Sequence, residues 1–322
     1  MNPSESTSAR SNHRSNHRSN LRSNHHLAYF LLTLTALFWA GNWVVGRGIR
    51  GDVPPIALSF WRWVVVFVFL VPLAWPYLHS QRALLFKNWR ILTLLGLFGG
   101  ACHNALTYIG LTMTTATNGI LLASSTPIMI VTLSWLFFSK RLRAIEWLGV
   151  LVSCTGVLVI ISHGEWARLI ELRPNAGDLW VLAALVFWAL YTVLLVKRPV
   201  GLHPYASLIF MGVVGMLSLL PFYLWEIATG HYIHFGIAAL TAIGYAGIFP
   251  ALLGLIFWNK AVADIGANKA GLFMHLMPVF GIVLSIIFLG EQPALFHLAG
   301  IALILSGITL NTLYGPTKDS AP

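Results

Sequence analysis

Charge is what this chain has least of. Of its 322 residues only 9% are Asp, Glu, Lys or Arg, and only 10 are acidic. A soluble domain carries roughly 25% charged residues, so water is excluded as the solvent for most of the surface. Cysteine is almost absent as well. Cys102 and Cys154 both lie inside apolar runs, which excludes a disulfide framework and reads as core-packing thiols. Short alternating segments, the mark of a membrane β-barrel, are missing too. No GxxxxGK[ST], HExxH or GxSxG sequence occurs, so direct use of ATP and two common hydrolase chemistries drop out. Basic residues do exceed acidic ones, for a formal charge of +10. They are scattered over short loops, so no nucleic-acid partner is expected.

What is present is apolar. Hydrophobic residues make up 57% of the chain and mean hydropathy is +0.76. In lipid the backbone must satisfy itself, so long non-alternating runs read as helices. Ten such runs are near the ~20 residues a crossing needs: 27–46, 55–76, 91–111, 117–138, 145–162, 179–196, 204–225, 238–258, 269–289 and 295–313. Before them, residues 1–26 repeat Ser-Asn-His-Arg and hold nothing to bury; they read as a disordered basic tail rather than a signal peptide. Residues 163–178 form the longest internal connection, and 314–322 a short tail.

The chain also repeats itself. Phe38-Trp39-Ala40, Pro55 and Ala57 recur 149 residues later as Phe187-Trp188-Ala189, Pro204 and Ala206. Further on the offset is 151: Ala116, Pro127, Phe137, Gly149 and Gly156 recur as Ala267, Pro278, Phe288, Gly300 and Gly307. The expected units are 27–162 and 179–313. Five crossings is an odd number, so the second unit starts from the opposite face. The fold class is therefore an all-α polytopic membrane protein, ten transmembrane helices in two inverted five-helix repeats, an architecture transporters use. Lys and Arg crowd the N-terminal tail and one set of loops (Arg82, Lys87, Arg90; Lys140, Arg141, Arg143; Lys197, Arg198; Lys260, Lys269). The opposite set holds Arg47, Arg50, Arg168 and Arg173. By the positive-inside rule both termini are cytoplasmic.

The residues resemble a known family. Ala36–Trp43 (ALFWAGNW), Gly177–Leu195 (GDLWVLAALVFWALYTVLL), the stretch 267–291 with Pro278 and a terminal Leu289-Gly290-Glu291, and His297–Leu310 are similar to the first, sixth, ninth and tenth helix patterns of the drug/metabolite transporter superfamily, ten-helix EamA type. The likeness spans about 27–313. Phe138-Ser139-Lys140-Arg141 departs from it, standing where the family usually has Leu-Gly-Glu-Arg. The resemblance implies transport of a small solute across a bacterial inner membrane, often export of amino acids or related metabolites. It also implies a cavity lined by the first, third, fourth, sixth, eighth and ninth helices, with no cofactor and no metal. A polytopic enzyme or a passive channel is the alternative, but acids stand singly in loops and no repeated polar ring is seen.

Candidate site residues follow from depth and symmetry. Pro127 and Pro278 fall mid-helix at equivalent places and should free the carbonyls of Ala123 and Met274. Ser124 and His275 are partners three residues earlier. His275 lies ~9 Å beyond Lys269 at 1.5 Å per residue; it either binds solute or a proton, or is a neutral ring bonded to a freed carbonyl. Asn104 and Tyr108 share a face of the third helix, and Tyr108 is the repeat partner of Asn259. His103 is a weaker candidate. Trp39, Asn42, Trp43, Trp188 and Tyr191 lie too deep for an interfacial belt and read as cavity walls for an apolar or cationic group. Arg62, whose repeat partner is Met211, either snorkels outward or meets a solute carboxylate. Glu291 and Asp178 sit at helix ends, as caps or a gate. Gly149, Gly156, Gly300 and Gly307 should allow close helix packing.

Overall fold

The computed structural model describes the backbone of residues 3–139, 143–162, 165, 175–289 and 294–314; side chains are described from 25 onward, apart from 117, 121, 161, 285–289 and 314. Every regular element among them is helical. Ten helical segments match the ten apolar runs: α1 (Pro3–Gly48), α2 (Pro55–Ser80), α3 (Trp89–Met113), α4 (Ala116–Ala123 continued by Thr126–Phe138), α5 (Ala144–Ile161), α6 (Ala176–Leu194), α7 (Pro204–Ala228), α8 (Ile237–Ile265), α9 (Ala267–Leu272 continued to Leu289) and α10 (Leu295–Tyr314). Eight are long and apolar enough to cross a bilayer by themselves; the shorter apolar stretches Thr126–Phe138 and Ala144–Ile160 complete the ten. Large apolar side chains such as Val68, Leu73, Trp75, Phe222 and Trp225 face outward, as the bilayer requires and water forbids.

The N-terminal segment differs from expectation. α1 begins at Pro3, so the stretch expected to be a disordered tail is helical backbone continuous with the first crossing. No proline interrupts the chain between Pro3 and Pro54, and a helix already nucleated by an apolar segment propagates at small cost per residue.

Helix ends follow local chemistry. Pro55 opens α2 at a position where its missing N–H costs nothing. The next donors, Ile56 N and Ala57 N, give to the two oxygens of Glu226 at the far end of α7, at 3.0 and 2.8 Å. α6 opens on a reciprocal cap in which Asp178 N donates to Asn175 Oδ1 and Asn175 N to Asp178 Oδ2. Asp178 also accepts from Thr114 Oγ1 at 2.5 Å, tying α6 to the end of α3. It is thus a cap, as expected; Glu291 falls outside the described residues.

The inversion is visible in the helix contacts. In α5 and α10 a Cβ on Gly149 would lie 2.7 Å from the Gly307 carbonyl oxygen, and one on Gly156 would lie 2.6 Å from that of Gly300. The two backbones touch there, which only glycine permits. Because 149 meets 307 while 156 meets 300, the helices run antiparallel. They are repeat equivalents, so the repeats are inverted. The same operation relates Gly96 against the Met211 carbonyl (2.7 Å to an ideal Cβ) to Gly247 against the Arg62 carbonyl (3.0 Å).

Both repeats also carry one seven-residue π-helical turn, Gly96–Cys102 in α3 and Gly247–Leu253 in α8, again 151 residues apart. Such turns widen a helix locally and are frequent at functional sites. α4 and α9 break at matching places, between Ala123 and Thr126 and through the 3₁₀ turn Phe273–His275.

Candidate functional site

Where the repeats meet, α1, α2, α3, α6, α8 and α9 surround a small cavity of ≈ 30 Å³. That is room for about two waters, at roughly 10–15 Å³ each. Six expected residues line it: Trp39, Asn42, Trp43, Arg62, Asn104 and Trp188. Gly99 and Pro250, which are equivalent positions in the two π turns, contribute their backbones to the wall, and Met274 and Met277 close it from α9.

The aromatic part of the wall is built on the pseudo-two-fold axis. Trp39 meets its own equivalent Trp188 edge to face, with ring centroids 4.8 Å apart. Trp258 completes a three-ring cluster, 5.0 Å from Trp39 and 5.5 Å from Trp188. Each such pair adds roughly 0.5–1.5 kcal/mol beyond area burial, which makes this a stiff surface. Trp39 Nε1 donates to the Pro250 carbonyl at 3.2 Å, a group the π turn leaves available.

The polar part comes from repeat one. Arg62 is only 3% exposed; it does not snorkel outward. Its Nη1 donates to Asn104 Oδ1 at 2.5 Å and to Tyr108 OH at 3.2 Å. Tyr108 OH in turn donates to Asn42 Oδ1 at 2.8 Å, and Asn104 Nδ2 to the Gly99 carbonyl at 2.9 Å. Arg62 Nε is buried with no partner, and among the described residues no carboxylate lies within ion-pair distance of the guanidinium. Arg62 does not face outward because α2 turns it toward α3, where two polar side chains four residues apart hold Nη1. An unpaired charge in such a place is costly, and therefore chemically informative.

Other expected residues serve each other and do not line the cavity. Tyr191 OH donates to Asn259 Oδ1 at 2.6 Å. Under the repeat offsets Asn42 corresponds to Tyr191 and Tyr108 to Asn259, so this bond is the Asn42–Tyr108 bond with donor and acceptor exchanged between helices. Ser124 and His275, also equivalents, touch directly. The carbonyl that the α4 break releases to a neighbour is that of Ser124 rather than Ala123, and His275 Nε2 donates to it at 2.8 Å. Ser153 Oγ stands 2.7 Å from Nδ1. A carbonyl only accepts, so Nε2 carries the hydrogen. The Ser153 hydroxyl also reaches the Gly149 carbonyl at 2.9 Å; both ring nitrogens thus have partners, tying α9 to α4 and α5. This is the structural alternative for His275, not the solute-binding one. Cys154 Sγ lies 3.7 Å from the same Nε2, and both cysteines are free. Pro127 and Pro278 are buried beside these breaks and are absent from the wall.

His103 is the polar wall residue that the candidate set passes over. Its Nδ1 donates to the Ala184 carbonyl at 3.0 Å and its ring packs 4.9 Å from Trp188. Thr107, one turn on, lines the cavity with it. The glycine run Gly96, Gly99, Gly100 was the signal in the chain that α3 opens at this point.

Comparison with known proteins agrees with this architecture. The model of the EamA-like transporter family matches twice, over residues 26–162 and 175–313. A Bacillus subtilis protein described as uncharacterized transporter YyaM is 26% identical over 288 residues, which is 88% of this chain and 93% of that one. A Streptantibioticus cattleyicolor protein described as a probable terminal-alkyne amino-acid exporter is 28% identical over 288 residues, covering 88% and 92%. A solved structure titled only as the crystal structure of a protein superposes with a TM-score of 0.70 at 21% identity, covering 89% of this chain and 96% of that one; at that identity the likeness concerns the fold. With both repeats matched and both built around one axial cavity, the chain belongs to the EamA-like transporter family.

Proposed function

We propose that this protein is a secondary transporter that exports a small metabolite, an amino acid or a related carboxylate, across the bacterial inner membrane by alternating access, with both termini in the cytoplasm. The observation that carries this reading is the position of the cavity on the axis that exchanges the repeats, with Trp39 against Trp188 at its centre. Two inverted copies can trade conformations around such a point, opening the same site first to one face and then to the other. The small volume supports a contracted state of that cycle, since ligand pockets run to roughly 300–1,000 Å³. Broken α4 and α9, and the paired π turns of α3 and α8, supply the places where helices can bend. The relative described as an amino-acid exporter supports the solute class and direction.

The test is counterflow. Proteoliposomes preloaded with unlabelled solute should accumulate labelled solute transiently and saturably. Linear, unsaturable flux would favour a channel, and chemical change of the solute would favour a membrane enzyme.

A further inference from the structure

We propose that the site selects organic monocarboxylates with an apolar or aromatic body, and holds no seat for a solute ammonium group. This rests on the transport reading and narrows its solute class.

Four wall acceptors are engaged: Asn104 Oδ1 by Arg62, Asn42 Oδ1 by Tyr108, the Pro250 carbonyl by Trp39 and the Gly99 carbonyl by Asn104; Thr107 Oγ1, which donates to the His103 carbonyl, and the second His103 nitrogen remain as neutral acceptors. The buried groups left without any partner are donors. Arg62 Nε and Trp188 Nε1 are both buried without a partner, on side chains 3% and 2% exposed, and both side chains line the cavity. No Asp or Glu is among the lining residues. His103 has one nitrogen left after its bond to Ala184, but it shares the cavity with the Arg62 guanidinium, so a cation there meets a positive neighbour.

The reason Trp188 is left over lies in the repeat comparison. Its equivalent Trp39 gives its N–H to Pro250. The matching acceptor for Trp188 would be the Gly99 carbonyl, and that is already taken by Asn104 Nδ2. Leu255 stands where repeat two would need an Asn104, and it donates nothing. The result is one cation and one indole N–H, both buried and unanswered, beside a wall of rings. A carboxylate oxygen answers a guanidinium and an indole donor; an apolar body fits against Trp39, Met274 and Met277. An α-ammonium finds no negative charge, only the neutral His103 and Thr107 acceptors beside the Arg62 guanidinium, and its desolvation is poorly compensated.

Three probes with the same ring separate the possibilities: 3-phenylpropionate, phenylalanine and 2-phenylethylamine. Binding to the full-length protein in detergent is read from quenching of tryptophan fluorescence, which needs no transport. The acid should bind roughly tenfold or more tightly than the amino acid, with the amine weakest. Arg62→Met places in repeat one the residue that repeat two uses. It should lose acid binding by roughly tenfold or more while its melting temperature holds or rises. Trp188→Phe keeps a ring and removes the orphan donor; it should weaken the acid severalfold and leave the amine unchanged. Equal or tighter binding of phenylalanine, no binding of the acid at millimolar concentration, or full acid binding by Arg62→Met would each overturn the proposal. Selective acid binding without counterflow would sink the transport reading and leave the selectivity standing; counterflow of the amine or the amino acid in preference to the acid would do the reverse.

Discussion

The two repeats share a frame and differ in chemistry, and the difference is concentrated on one face. Frame positions correspond: the π turns at Gly96–Cys102 and Gly247–Leu253, the α4 and α9 breaks, the glycines of α5 and α10, and the Asn–Tyr bonds at 2.8 and 2.6 Å. Arg62, His103, Asn104 and Thr107 of repeat one line the cavity; their repeat equivalents are Met211, Gly254, Leu255 and Trp258, of which Leu255 reaches it. Repeat one therefore supplies the polar, cationic groups as well as Trp39 and Trp43, and repeat two supplies an apolar wall with Trp188. Exchange of conformations needs the backbones to match. Recognition of an amphipathic solute needs the side chains not to.

Five substitutions would test that division, the largest effect first. Met211→Arg forces a second cation into a position that is 2% exposed, with no Asn partner on α8 because Leu255 replaces Asn104. A buried charge left unpaired costs about 3–5 kcal/mol. The variant should fail to yield a monodisperse peak in size-exclusion chromatography, and a well-folded, active product would show that repeat two tolerates polarity. Gly156→Leu places a side chain where the Gly300 carbonyl oxygen lies 2.6 Å from an ideal Cβ. Overpacking of this kind costs about 1–3 kcal/mol, and the melting temperature should fall; an unchanged value would mean α5 and α10 are not held in contact.

His275→Ala removes the donor to the Ser124 carbonyl and leaves a buried acceptor unanswered, a loss of about 1–3 kcal/mol. Stability should drop while the pH profile of flux keeps its shape, because both ring nitrogens are spent on structure. A shifted profile would return His275 to the list of proton carriers. The finest comparison is Asn42→Leu against Asn259→Leu. Each breaks one member of the symmetric pair, worth about 0.6 kcal/mol by the average for such bonds in a membrane protein. Both should lower the melting temperature slightly, but only Asn42→Leu should weaken solute binding, since Tyr108 also holds Arg62. Equal effects on binding would mean the polar wall is not confined to repeat one.

Much of the frame was readable in the chain. The ten apolar runs, the offsets of 149 and 151, and the count of five crossings per unit led to inverted repeats, because hydropathy and helix length act locally. Depth alone placed Trp39, Trp43 and Trp188 at the wall. Rotation about a helix axis was not readable. Arg62 sits on α2, which is apolar on every side, so nothing in its neighbours says whether it faces lipid or α3. Ser124, Tyr191, Asn259 and His275 were rightly singled out as polar groups at depth, yet depth does not distinguish a group that faces the cavity from one that satisfies another buried group. The π turns were missed because they change the helical phase without any proline in α3 to announce them.

The sequence by itself determined the solvent of this protein, its ten crossings and its two-fold inversion, since each depends on composition, run length and parity. Which donors remain unanswered was decided only in three dimensions. Trp188 Nε1 has no partner, while the Gly99 carbonyl that its repeat equivalent's bond points to is engaged by Asn104 from the same helix, α3, and no local pattern encodes how α3 and α6 face each other.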